Sequence, residues 1–324
     1  PNSDIASVST KLHGDITGDL FIDCTGFKSL LLGTHYDIPF ISKKHILFND
    51  SALAVHVPHQ NPDSPIASFT CSTAQTAGWV WDIALPSRRG VGYTYSSAHI
   101  TDEKAEQSLR YYITPAIGKS AAQSSSIRKI GFNPGHREKF WHKNCVAVGL
   151  DAGFIEPLEA TALALIELSA KMISDQLPTT RQTMDIVAKQ FNTKFLHRWD
   201  NIVEFLKLHY VLSKRVDSDY WHDNTDETHF PERLKEQLTL WKTQSPYHYD
   251  ADEAGKMFPP ASFQYILYGM GFITDPARKK RIDLSNKADR LFNENVKHSR
   301  QLLAALPTNR ELINKIKQYG LPKI

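Results

Sequence analysis

The sequence lacks the patterns that mark disulfide frameworks, zinc sites and membrane spans. Its three cysteines, Cys24, Cys71 and Cys145, lie far apart with no paired spacing, which argues against a disulfide framework and fits a reducing cytoplasm. No apolar run approaches the roughly 20 residues that cross a bilayer, so we expect no membrane association. With 38 Lys and Arg against 35 Asp and Glu, the net charge is +3 and no nucleic-acid surface is indicated.

Common catalytic motifs are missing as well. The sequence contains no GxSxG nucleophile motif, no P-loop and no HExxH zinc motif. Its 14 histidines include the strings HREKFWH (136–142) and HDNTDETH (222–229), but neither has the spacing of zinc ligands. We therefore expect no metal at the functional site.

The remaining composition is that of a globular protein, with 41% hydrophobic residues over 324 positions. DLFIDC (19–24) predicts a short buried strand, and CVAV (145–148) predicts a second strand. Residues 43–97 are mostly β, with a hairpin turn predicted at Ser87-Arg88-Arg89-Gly90. Helical spacing is found in 101–116, where Thr101 is the predicted N-cap, and then in 158–175, 181–192, 196–214, 230–241, 261–269 and from 275 onward. This order predicts an α/β core with an antiparallel sheet insertion and a mostly helical C-terminal region.

The segment GLDAGFIEPLEATALAL (149–165) places polar groups where a strand ends. Ligands collect at such positions in open α/β sheets, and glycines such as Gly149 let the backbone approach them. Asp151 has two interpretations: it accepts hydrogen bonds from ribose or ribityl hydroxyls, or it serves only as a turn or cap residue. The segment therefore favours a ligand site without identifying the ligand.

Glu159 stands at the head of a predicted helix. Pro157 suits the first helical position, and steps of a helical turn from Glu159 reach Leu163, Ile166, Ala170 and Ile173, which predicts an apolar stripe and a partly buried acid. Glu159 either favours the helix dipole or handles a proton, and both interpretations stay open. The free amides of Thr161 and Ala162 in the same first turn predict a site for a small anion.

Five separated stretches resemble the flavin-dependent tryptophan halogenases. They are, in family order, GDLFIDCTGF (18–27), GWVWDIALP (78–86), KFWHKNCVAVGLDAGFIEPLEAT (139–161), RWDNIVEFLKLHYVLSKRVDSDYW (198–221) and FQYILYGMGF (263–272). The resemblance implies a partial FAD-binding, Rossmann-like domain of the flavin monooxygenase type over 1–42 and 128–176. It further implies a substrate-side β-sheet insertion over 43–127 and a helical substrate-binding region over 177–324.

In that family, reduced flavin and oxygen convert bound chloride or bromide into hypohalous acid, which halogenates an electron-rich aromatic ring without a metal. The resemblance implies that Glu159 faces the substrate, positions the electrophile and accepts the ring proton. Thr161 and Ala162 match the pair whose backbone N–H groups hold the halide. The implied flavin contacts are Gly149, Leu150, Asp151 and Leu163.

The implied substrate side includes Glu159, Trp79 and Trp81. The two tryptophans match a signature associated with blocking ordinary oxygenation, with packing of a strand face as the alternative. In SPYHYDADEAGKMF, which aligns only loosely, the candidates are Tyr247, Glu253 and Phe258. Free tryptophan, another indole, a phenol, a pyrrole or a larger molecule would fit.

The family pattern also implies FADH2 from a separate flavin reductase, chloride or bromide as co-substrate, and cytoplasmic location, with a homodimer left open. The rival hypotheses are a flavin-dependent monooxygenase of the same fold, which would leave a hydroxyl on its product, and a non-catalytic remnant.

Two departures from the family pattern concern the active site. Glu159-Ala160-Thr161-Ala162 stands where the family usually has Glu-Ser-Thr-Gly. An alanine preserves the backbone donors if its φ is helical, but the missing serine hydroxyl puts the hydrogen-bonded link between flavin and catalytic lysine in doubt. The family's N-terminal GxGxxG and that lysine have no counterpart, because GVGYTY (90–95) lacks the third glycine and falls in a hairpin.

We expect the chain, which opens Pro-Asn-Ser, to be the C-terminal part of a longer protein. We therefore predict that these 324 residues alone bind FAD poorly and do not halogenate, because the glycines that approach the pyrophosphate are missing. Flavin-fluorescence titration and product analysis would check this. Saturable FAD binding together with a halogenated product would contradict it.

Overall fold

The computed structural model describes residues 3–250, 257–275 and 285–321. The strands are β1 (Ser7–Thr10), β2 (Gly14–Thr17), β3 (Phe21–Asp23), β4 (Phe40–Ser42), β5 (Ser51–Pro58), β6 (Cys71–Gln75), β7 (Gly78–Ala84), β8 (Arg88–Tyr95), β9 (Arg128–Gly131), β10 (Gly135–Arg137), β11 (Trp141–His142), β12 (Cys145–Ala147) and β13 (Gly153–Phe154). The helices are α1 (Asp102–Ile117), α2 (Lys119–Ser124), α3 (Thr161–Asp175), α4 (Arg181–Val211), α5 (Asp219–Thr225), α6 (Glu232–Trp241), α7 (Pro260–Gly269), α8 (Ser285–Ala305) and α9 (Asn309–Tyr319).

These elements form two units, Pro1–Asp50 with Gly131–Thr274, and Ser51–Ile130 with Asp275–Ile324. The predicted fold class, mixed α/β with antiparallel sheets and a helical C-terminal region, is confirmed. The three-part functional division expected from the family stays a prediction. No helix in the described ranges is both long and apolar enough to cross a membrane.

The first unit contains the strand and turn that precede the predicted ligand site. β12 pairs in parallel with β3 and antiparallel with β11, while β10 lies between β13 and β4. The strand predicted over 145–148 is therefore confirmed as β12. The other predicted strand is shorter than expected and is not fully buried: Ile22 in β3 is 51% exposed, because β3 is the edge strand of its sheet.

α4 dominates the helical part of the first unit. Two helices were expected over 181–192 and 196–214, but Arg181–Val211 is continuous over 31 residues. No glycine or proline interrupts this stretch, and a capping box at Thr180 and Thr183 starts it. α4 buries Phe191, Phe195 and Trp199 in its first part and every residue from 201 to 208 in its second. α5 was not predicted.

The second unit contains a five-stranded antiparallel sheet of order β6-β7-β8-β5-β9. One face packs on α1 through an apolar cluster that includes Val55, Tyr93, Leu109 and Ile113. The helix predicted over 101–116 is confirmed, and the Thr101 side chain accepts a hydrogen bond from the Lys104 amide as an N-cap.

The β7–β8 hairpin turns two residues earlier than expected. Its turn is closed by the Leu85 amide donating to the Arg88 carbonyl, and Gly90 lies inside β8, paired with Ile83. Two causes are visible. Arg89 forms a cross-strand ion pair with Asp82, and Gly92 lies beneath the Trp81 ring, where a Cβ atom would meet the indole at 2.0 Å.

Glu204 on α4 is a buried acid of the first unit whose ionisation affects stability. Its side chain is 8% exposed and lies 3.5 Å from the Arg233 guanidinium. Burial raises the pKa of Glu204 to about 7; Asp200 reinforces the increase, and Arg233 and Lys43 oppose it. Because the folded-state pKa exceeds the unfolded one, unfolding releases a proton between about pH 4.5 and 7, so this group's contribution to stability falls as pH rises through that window.

We predict that Glu204→Gln removes this dependence. Relative to the parent, the variant's unfolding free energy should rise by about 2 kcal/mol between about pH 5 and 8. Urea unfolding at the two pH values measures the difference, with Glu236→Gln, an exposed acid on α6, as the control. An equal stability difference at both pH values would show that Glu204 is ionised throughout.

Candidate functional site

The backbone between β13 and α3 makes a left-handed turn. Glu159 has φ 63° and ψ 4°, and Ala160 has φ 51° and ψ 32°; α3 begins only at Thr161. The prediction that Pro157 starts the helix is therefore wrong. Leu158–Ala160 instead forms a short 3-10 turn, in which the Ala160 amide donates to the Pro157 carbonyl at 3.1 Å.

This turn also changes which face of α3 is buried. The buried side chains of α3 are Leu165, Ser169 and Ile173, whereas Leu163 is 70% and Ile166 38% exposed. Of the apolar stripe predicted from Glu159, Ile173 is buried as expected, but Leu163, Ile166 and Ala170 are exposed, so the stripe is wrong over the first part of α3.

The carboxylate of Glu159 contacts a histidine on α4. Its Oε1 lies 3.1 Å from Nε2 of His209, and just over a third of the Glu159 side chain is exposed. Nδ1 of His209 lies 2.8 Å from the Phe205 carbonyl oxygen, which only accepts hydrogen bonds, so Nδ1 carries a proton. A neutral His209 then has no proton on Nε2, and the contact with Glu159 requires one further proton. The hydrogen bond between the two side chains therefore forms only when one of them carries that proton.

A small pocket of about 50 Å³ adjoins the turn. Thr161 and Ala162 lie in the first turn of α3, whose amides have no carbonyl partner within the helix, and no side chain caps this end. Most of the pocket wall is apolar. Its lining residues include Leu165, Phe195 and Trp199 together with Thr161 and Ala162. The pocket exceeds the volume that one water needs, so a small anion fits beside the amides.

The predicted flavin-side residues lie at the strand end. Gly149 has φ 77°, which favours glycine, and Leu150 is 41% exposed; both line the pocket, whereas Leu163 does not. Asp151 is 1% exposed, and neither carboxylate oxygen has a hydrogen-bond partner among the described residues. Orphaned acceptors of this kind fit a ligand that brings hydroxyl donors.

Burial raises the pKa of Asp151 to about 7, so part of the population is protonated at neutral pH. The neighbouring carboxylate of Asp23 reinforces the increase, while the Ser29 hydroxyl, which lies outside hydrogen-bonding geometry, opposes it. The pKa of Asp23 itself is lowered: four donors from Thr25, Leu31 and Leu32 outweigh its burial.

The substrate candidates fall in both units. In the first unit, Phe258 stacks on Phe205 at 3.8 Å between ring centroids, and the Phe205 ring meets His209 edge-on at 5.1 Å. Phe258 and the 58% exposed Tyr247 line one small pocket with Trp241 and Phe263. Glu253 lies outside the described residues.

In the second unit, Trp79 and Trp81 lie on β7 with their rings edge to face at 6.3 Å. Trp79 is 6% exposed and Trp81 is half-buried.

Sequence reasoning missed the α4 residues that contact the turn. His209 holds Glu159, and the adjacent Tyr210 hydroxyl lies 2.6 Å from both oxygens of Glu156. Glu204 and Lys207 are buried ionisable side chains in the mostly apolar run IVEFLKLHYV (202–211). That interruption was the available signal, because a charge inside a buried run needs a partner.

Known proteins are similar to this chain in sequence and in fold. A family model described as tryptophan halogenase matches residues 1–284. The chain is 37% identical over 276 residues to 7-chloro-L-tryptophan 6-halogenase KtzR of Kutzneria sp. (strain 744), a match covering 84% of this chain and 52% of the relative. The chain thus spans about half the length of that relative.

Solved structures of tryptophan halogenases are similar to this chain as well. A tryptophan halogenase from Shewanella frigidimarina superposes with a TM-score of 0.95 at 48% identity, over 99% of this chain and 61% of that one. Tar14, a tryptophan C-6 flavin-dependent halogenase from taromycin biosynthesis, superposes with a TM-score of 0.87 at 36% identity, over 96% and 61% of the two chains.

The contacts of His209 predict which of its ring nitrogens carries the proton, and this can be tested without substrate. In its neutral form we expect the proton on Nδ1, because that atom faces a carbonyl, whereas the exposed His222 should show the usual Nε2 proton. Long-range proton–nitrogen correlation NMR distinguishes the two forms, with His209→Gln to assign the signal. A neutral His209 protonated on Nε2 would contradict the arrangement.

Proposed function

The chain belongs to the tryptophan halogenase family, and from this premise we propose that it forms the halide- and substrate-side part of a flavin-dependent halogenase. The observation that carries the proposal is the position of Glu159 one residue before Ala160 and the free amides of α3, beside a pocket of small-anion size. An acid next to an anion site is what halogenation of a ring needs: the halide enters, and a ring proton leaves.

The amides of Thr161 and Ala162 are proposed to hold chloride or bromide. A helix N-terminus favours negative charge, and the apolar wall of the pocket strengthens that attraction by excluding water. The family usually has glycine where this chain has Ala162. Ala162 lies within α3 and has no positive φ, so the alanine leaves the amide in helical orientation.

Glu159 is proposed to take the proton that the aromatic ring loses. In neutral His209 the proton is on Nδ1, so the bare Nε2 that lies 3.1 Å from the Glu159 carboxylate gives the ring proton a second position. General-base assistance of this kind contributes typically 10²–10⁴-fold to a rate. Proton transfer therefore involves two side chains, of which only Glu159 was anticipated.

Gly149, Leu150 and Asp151 are proposed to contact FAD. The orphaned oxygens of Asp151 fit ribityl hydroxyl donors, and the positive φ of Gly149 brings backbone close to a ligand. When bound as FADH2, supplied by a separate reductase, the flavin would provide the two electrons that activate oxygen, and the activated oxygen would then oxidise the halide. Leu163 is kept as a candidate contact on the exposed face of α3.

An electron-rich aromatic, tryptophan or a related indole, is the proposed substrate. Tyr247 and Phe258 are the candidates on the first unit, and Phe258 reaches Glu159 through Phe205 and His209. Trp79 and Trp81 remain substrate-side candidates on the second unit, and Glu253 stays a candidate without a described position.

We predict that the protein translated from its full reading frame brominates tryptophan or indole when given FADH2, oxygen and bromide. Glu159→Gln should lower turnover by about 10²–10⁴-fold, because the amide cannot accept the ring proton. Mass spectrometry identifies the product.

Glu167→Gln, an exposed acid on α3, is the matched control and should retain parental turnover. A hydroxylated product in place of a brominated one would favour a flavin monooxygenase. Full turnover by Glu159→Gln would remove Glu159 from the mechanism.

A further inference from the structure

A buried polar network lies immediately before the Glu159–Ala160 turn, and none of the roles proposed above uses it. Glu156 is 4% exposed, and the Tyr210 hydroxyl lies 2.6 Å from both of its carboxylate oxygens. Nδ2 of Asn49 donates to Oε2 of Glu156, and it lies 3.1 Å from the Tyr210 hydroxyl. The Tyr220 hydroxyl donates to Oδ1 of Asn49 at 3.0 Å. Both oxygens of this buried acid therefore have donors.

A buried lysine, Lys207, lies beside the network one helical turn before Tyr210. Nζ of Lys207 donates to Oδ1 of Asn224 at 3.0 Å and lies 4.7 Å from the centroid of the Phe48 ring. Burial lowers the pKa of Lys207 to about 7, and the charge of Glu156 opposes that decrease. Leaving any one member of such a network unpaired is costly, because all of them are away from water.

The turn that follows needs external support. Glu159 and Ala160 both have positive φ, and neither is a glycine, so the conformation persists only where the surrounding structure enforces it. Two consecutive residues of α4 hold the segment from both ends: Tyr210 contacts Glu156, and His209 contacts Glu159.

We propose that Glu156 is a positioning residue whose hydrogen bonds to Tyr210 and Asn49 keep the Glu159–Ala160 turn left-handed. The turn in this form sets Glu159 against His209 and orients the amides of Thr161 and Ala162. The effect of Glu156 on halide binding rests on the proposed function, whereas its effect on the geometry of the turn does not. Where the network is broken, only the fraction of molecules that keep the turn can bind halide, so the apparent affinity falls by that fraction.

Three variants of the 324-residue chain test this. Glu156→Gln replaces one of the two acceptor oxygens by an amide donor, which must face either the Asn49 donor or the Tyr210 hydroxyl. Tyr210→Phe removes only the hydroxyl. The double variant Glu156→Gln/Asn49→Asp exchanges the amide and the carboxylate, so the hydrogen bond between positions 49 and 156 can form again in the reversed direction, and the Tyr210 and Tyr220 hydroxyls keep acceptors.

Two readouts separate positioning from folding. The imidazole NMR signal of His209 reports its contact with Glu159, and Glu159→Ala supplies the reference signal for a lost contact. Bromide line broadening reports halide affinity. Thermal unfolding establishes that each variant is folded at the measuring temperature, and Glu167→Gln is the matched control.

We expect Glu156→Gln and Tyr210→Phe to shift the His209 signal toward that reference and to weaken bromide binding roughly tenfold or more. The double variant Glu156→Gln/Asn49→Asp should restore both the parental His209 signal and the parental bromide affinity. Folded single variants with the parental His209 signal would overturn the proposal. Unfolding of all three variants would overturn it too, since the network would then serve the fold and not the turn. If the parent binds no bromide, the halide site fails, while the His209 signal still decides whether Glu156 positions the turn.

Discussion

The site depends on two consecutive residues, Glu159 and Ala160, that are held in a left-handed conformation although neither is a glycine. Such residues cost roughly 1–2 kcal/mol each, and an isolated segment would relax into the helix that its sequence favours. Here the relaxed form is unavailable because the segment is held on both sides by α4. On the N-terminal side of the turn, the buried Glu156 accepts a hydrogen bond from Tyr210. Within the turn, Glu159 contacts His209. The strain is therefore balanced by tertiary hydrogen bonds.

The continuity of α4 and the polar groups of its second part make these contacts with the turn possible. A break near residue 195 would separate the aromatic side chains of Phe191 and Phe195, which stack at 4.2 Å, from the residues that contact the turn. The same helix that packs through Phe191 and Phe195 therefore also positions His209 and Tyr210 against Glu159 and Glu156. Lys207 and Glu204 lie on the same buried stretch, and each has a partner of opposite charge or an amide oxygen. Polar groups there increase the cost of any other packing of the helix.

Local patterns predicted the parts of the structure whose energetics are local. The strand at 145–148 and the capped helix at 101–116 follow from alternation and from a side chain that caps its own helix, so short-range rules suffice. The hairpin turn moved because Arg89 prefers a cross-strand ion pair and Gly92 makes room for Trp81, and neither preference is visible along the chain. The start of α3 was missed for the same reason. The start of α3 is set by contacts of Glu156 and Glu159 with residues about fifty positions away, and helical spacing along the chain does not reveal such contacts.

The two alanines of Glu159-Ala160-Thr161-Ala162 have opposite conformational requirements, which bears on what the site can still do. Ala162 is helical, so its methyl group costs nothing in backbone strain and its amide keeps its direction. Ala160 is left-handed and is the N-cap of α3, a position where a serine side chain commonly accepts a hydrogen bond from the first helical turn. An alanine there leaves those amides uncapped from within the chain. The departure from the family pattern thus removes a hydroxyl while leaving more of the helix end free to bind an anion.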